Sequence, residues 1–161
     1  MTVADLFAAA RTELAGAPRE GLGVLVEPRR FLGMGRAPRI VPRGNAWHLG
    51  VLLLTDDGVL ATGDVLRARG EARRGYTAES QRRRADLAAA ARRGGFEEGA
   101  TVHLDWQVLD LDAVERGEAS GPLALVDGVA SVRWSAAGGL MPLDRYLDER
   151  IELLRHPLPG A

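Results

Sequence analysis

Twice in this chain an Asp-Gly pair interrupts a stretch of strand-forming apolar residues. Asp56-Asp57-Gly58 separates residues 47–55 from 59–69, and Asp127-Gly128 separates 123–126 from 129–134. A two-residue hairpin turn needs positive φ at both central positions, which Asp and Gly tolerate and β-branched residues do not. The pattern therefore commits the chain to antiparallel neighbours. Between the two turns, Val102, Leu104, Trp106 and Val108 alternate with Thr101, His103, Asp105 and Gln107. This spacing predicts a strand over 101–109 with one apolar face and one wet face, the wet one carrying His103 and Asp105.

Helical spacing appears three times. Val3, Leu6, Phe7, Ala10 and Leu14 form a stripe that starts at a candidate cap, Thr2. Residues 78–93 read as a second helix, with Thr77 as N-cap, Glu79 in the first turn, an Ala-rich stripe with Leu87, and Gly94-Gly95 as the stop. A third begins at Pro142 and places Leu143, Leu147, Ile151 and Leu154 on one side. Residues 16–45, with six Gly, four Pro and six Arg, read as irregular, with short strands at 23–27 and 39–41. The expected fold is α+β: a mainly antiparallel sheet of about five strands, built from two hairpins and a central strand and packed against three helices. A chain of 161 residues is expected to form a single globular domain over 1–161 and to bury roughly 70% of its unfolded surface without disulfides or a structural metal.

Residue usage excludes chemistry. All 21 basic residues are Arg, and Cys is absent. No Schiff base, no Ser-x-x-Lys pair, no Walker A lysine, no thiol nucleophile and no Cys-ligated zinc can exist here. Gly33-Met34-Gly35-Arg36-Ala37-Pro38 opens like a dinucleotide fingerprint, but Pro38 stands where its last glycine belongs. No serine sits in a Gly-x-Ser-x-Gly elbow. The longest apolar run is far too short to span a bilayer, and Asp5, Arg11 and Glu13 break up any signal-peptide core, so the reading is a cytoplasmic protein with no membrane association.

Charge is unevenly placed. Residues 19–43 carry six Arg against two Glu and residues 67–84 seven Arg against two Glu, whereas 97–127 carry eight acids against one Arg. Overall the formal charge is −1, which argues against a nucleic-acid partner. The basic stretch before and within the second helix offers Arg73, Arg74, Thr77 and Arg82 as a candidate anion site, because guanidinium forks and a helix N-terminus both favour phosphate or carboxylate. Arg82-Arg83-Arg84 cannot all face one ligand, since successive helical residues point about 100° apart.

His48, His103 and Asp105 form the catalytic candidates, two imidazoles and a carboxylate suited to metal or acid/base chemistry if their strands are neighbours. No metal site or cofactor is assigned. Asp110, Asp112 and Glu115 lack the glycine and further ligands of a calcium loop, and Asp112 reads as the cap of a short turn at 113–116.

The strings Ala46-Trp47-His48-Leu49-Gly50, Gly58-Val59-Leu60-Ala61-Thr62-Gly63 and Tyr76-Thr77-Ala78-Glu79-Ser80-Gln81-Arg82 resemble those of short, uncharacterised proteins of high-G+C actinobacteria, some labelled glutaminase. That label implies a Ser-x-x-Lys pair or a nucleophilic Cys, and this chain has neither, so no catalytic residue carries over. Two functions stay in view: a non-enzymatic binding or interaction module for a small anion or a protein partner, for which the sequence also admits a homodimer, and a small metal-dependent or acid/base hydrolase using the His/Asp cluster.

Overall fold

Thr2 starts the first helix, α1 (Val3–Leu14). Its side chain accepts from the Asp5 N–H while the Asp5 carboxylate accepts from the Thr2 N–H, a reciprocal capping box. From there the order is β1 (Glu20–Val26), β2 (Arg39–Leu49), β3 (Leu52–Leu54), β4 (Val59–Ala61), β5 (Asp64–Arg67), α2 (Glu79–Gly94), β6 (Thr101–Leu104) and β7 (Gln107–Val108). The chain closes with α3 (Leu111–Glu115), β8 (Leu123–Val126), β9 (Val129–Arg133), β10 (Leu140–Pro142) and α4 (Leu143–Arg155). This computed structural model describes residues 1–28, 35, 37–70 and 78–160.

The class is α+β, with more strands than the two Asp-Gly turns suggest. The described residues form ten strands and four helices rather than about five and three. They divide into two compact units: 1–19, 46–62 and 106–161 make the first, and 20–45 and 63–105 the second.

In the first unit the end of β2 pairs with β3, β3 with β4 and β4 with β7, all antiparallel. A separate three-stranded sheet runs β10-β9-β8. Phe7 and Leu14 of α1, Leu143, Leu147 and Ile151 of α4, and the strand residues Leu52 and Leu54 share one apolar core. The second hairpin forms as expected, with Asp127 at φ 51 and Gly128 at φ 77 between the paired Val126 and Val129. The first does not. Residues 47–55 split at Gly50-Val51, where Gly50 adopts φ 66 and Leu49 pairs with Leu52. Asp56 and Asp57 instead sit in a four-residue loop from Thr55 to Gly58, closed by the Thr55 N–H on the Gly58 carbonyl at 3.0 Å. Asp110, not Asp112, caps α3, accepting from the Ala113 N–H at 2.9 Å, and Glu115 accepts from the Val3 N–H. Both acids are thereby spent on structure.

The second unit has a mixed sheet. β6 lies between β5, antiparallel, and β1, parallel, with β2 beyond β1. Thus β1 and β2 occupy much of the stretch that reads as irregular. The helix α2 lays Ala90 and Ala91 against Ile40, Val102 and Leu104. Small side chains are what permit so close an approach: a Cβ built on Gly94 would lie 1.6 Å from the Ile40 carbonyl oxygen. No helix among the described residues is long and apolar enough to cross a membrane.

Candidate functional site

The stretch expected as one strand over 101–109 breaks at Asp105, which takes φ 54 between β6 and β7. Two consequences follow for the His/Asp candidates. Asp105 is exposed and no longer continues the side-chain alternation of His103, so the two do not share a strand face. His103, expected on a wet face, has no exposed surface at all. Its strand is interior, paired on both edges, and the register that sets Leu22 opposite His103 brings Glu20, two residues earlier on β1, to the same face. The His103 Nε2 and Glu20 Oε1 lie 3.0 Å apart. Glu20 is a partner that the sequence does not announce, because the contact depends on a parallel pairing across more than eighty residues. His48 belongs to the first unit, where its Nε2 lies 3.0 Å from the Gly50 carbonyl oxygen beside the tight β2–β3 turn.

Among the anion candidates, Arg73, Arg74 and Thr77 lie outside the described residues. The helix N-cap falls at Ala78, whose side chain makes no capping hydrogen bond. Arg82 is placed at a cleft of about 780 Å³ in the second unit. One wall is a stripe of α2, in which Glu79, Arg82, Arg83, Asp86, Leu87, Ala90 and Arg93 recur at three- and four-residue intervals. The opposite wall comes from Leu25 and Glu27 at the end of β1 and from Ala37 and Pro38 just before β2. Arg84 points elsewhere, as the helical rotation requires.

Three features give the cleft its character. Its floor is apolar: Leu25 is 40% exposed, and half-buried Leu87 and buried Ala90 complete the lining. Its far end is tied by Arg93, whose Nε and Nη2 donate to the Pro38 carbonyl at 3.1 and 2.9 Å. Its rim bears both signs, with Arg82 and Arg83 between Glu79 and Asp86. Charges at such spacing on a solvated helix commonly pair with one another. Among the described residues none of these four forms an ion pair.

The α2 stripe could have been read from its spacing. The β1 wall could not, because nothing local links residues 25–27 to a helix more than fifty positions later. No family model, curated protein or solved structure matches the chain.

Proposed function

We propose that the protein is a non-enzymatic binding module whose ligand site is the cleft between α2 and the β1 end in the second unit. The observation that carries this reading is the pairing of two uncommitted guanidinium groups, Arg82 and Arg83, with an apolar floor of exposed Leu25 and half-buried Leu87. An arginine on an ordinary helix surface has water or an acid as its partner; here the two stand over a concavity within the 300–1,000 Å³ range typical of small-ligand sites. Three carboxylates lining the same cleft, Glu79 and Asp86 on α2 and Glu27 opposite, disfavour a polyanion such as nucleic acid.

The test is a thermal-melt panel with organic phosphates, carboxylates and short peptides. A ligand at about 100 times its dissociation constant adds about 2.7 kcal/mol, or roughly 5–11 °C for a chain of this size. The shift should disappear in the double variant Arg82→Ala, Arg83→Ala. A shift that survives unchanged in that variant removes the cleft from consideration.

The acid/base alternative has one observation in its favour, the Glu20–His103 contact. An imidazole with no exposed surface cannot touch a substrate without local opening, so the contact supports a positioned structural pair better than a catalytic one.

A further inference from the structure

Resting on that reading of the cleft, we infer that its occupant is a short extended peptide segment of mixed charge, rather than an isolated small anion. Length is the first argument. From Glu79 to Arg93 the α2 wall rises about 21 Å at 1.5 Å per residue, which matches about six residues of extended chain at roughly 3.3–3.4 Å each. A lone phosphate or carboxylate would use one end of such a groove and leave the rest wet.

Charge order is the second. Along the helix the rim reads acid at Glu79, base at Arg82 and Arg83, acid at Asp86, then apolar at Leu87 and Ala90. Because the signs alternate, a complementary ligand must alternate as well, with an acidic group at the arginines and a basic one within reach of Asp86 or Glu79. Because Leu25 stands on the opposite wall and Leu87 follows Asp86 along the helix, it must also carry apolar groups beside the charged ones. Aliphatic and charged side chains at alternate positions of one extended strand supply all three, since successive side chains point to opposite sides.

Fluorescence anisotropy on the full chain tests this with labelled hexapeptides that carry one aspartate, two leucines and one lysine, in both orders along the chain. Control peptides replace either the leucines or the two charged residues with serine, and phenyl phosphate and octanoate serve as small-anion competitors. One order of the mixed peptide should bind at least tenfold more tightly than either control. The double variant Arg82→Glu, Arg83→Glu should weaken it at least tenfold, and a peptide with lysine in place of aspartate should regain affinity for that variant. Peptide binding indifferent to the charge reversal overturns the inference. If phenyl phosphate or octanoate binds in an Arg82-dependent way and the mixed peptide does not, the peptide assignment fails while the cleft stands as a ligand site. Absence of binding by every probe overturns both.

Discussion

The guanidinium of Arg19 lies over the indole of Trp47, its carbon 3.7 Å from the ring centroid, and the same group reaches the Asp56 carboxylate at 2.7 Å. The indole is fixed in turn by donating its N–H to the Ala17 carbonyl at 3.1 Å. One side chain thus joins the segment after α1 to the base of β2 and to the β3–β4 loop. Replacing Arg19 with Ala should destabilise the protein by about 1–2 kcal/mol, from lost cation–π and stem packing more than from the exposed ion pair. Urea unfolding followed by tryptophan fluorescence measures it, and Arg19→Lys should recover only part.

Asp56 supplies a pH signature. Its hydrogen bond from Arg19, and then the attraction of that charge, hold its carboxyl below the ordinary carboxylate range. A lowered folded-state pKa means that this contribution to stability is fully present above the unfolded value of about 3.9 and is lost as pH falls through the folded value. Carboxyl-carbon NMR titration should show the depressed midpoint in the native protein and its return to the ordinary range in Arg19→Ala. An unchanged midpoint in the variant would exclude Arg19 as the cause.

Tyr146 staples the β2–β3 turn. Its buried hydroxyl donates to the Leu49 carbonyl and accepts from the Val51 N–H, both at 2.8 Å. Tyr146→Phe strands both backbone groups in a site with 1% exposure and should cost about 2–3 kcal/mol by chemical denaturation. Gly50→Ala should be at least as damaging. It forces a side chain onto φ 66, and its Cβ would meet the tyrosine oxygen at 2.1 Å.

Gly94→Ala probes the seat of α2. The added methyl collides with the Ile40 backbone rather than with a movable side chain, so the expected loss is about 2–3 kcal/mol, visible as a lower denaturation midpoint. Gly95→Ala, where nothing lies within 4 Å of the new Cβ, reports separately on the strain of φ 112.

What could be read from the sequence was local. The cap at Thr2, the Asp127-Gly128 turn and the stripe of Leu143, Leu147 and Ile151 each announce themselves within a few residues, and each is where the spacing puts it. The 47–55 run misled because Leu52, Leu53 and Leu54 are all buried. A strand covered on both faces loses its alternation, so the turn at Gly50 left no break in hydrophobicity. Asp105 misled for the reverse reason: the alternation over 101–109 continues across a residue whose backbone turns away. At the site, Arg82 was legible and Leu25 and Pro38 were not, since their convergence is set by pairing between distant strands.

The apolar stripe of α1 has a temporal consequence. Phe7 and Leu14 are made more than 130 residues before Leu147 and Ile151 of α4, which share their core. At translation rates of about 5–20 residues per second, the helix emerges with its hydrophobic face open for on the order of ten seconds. A nascent chain arrested before α4 would expose that face, and it is there that a chaperone would take hold.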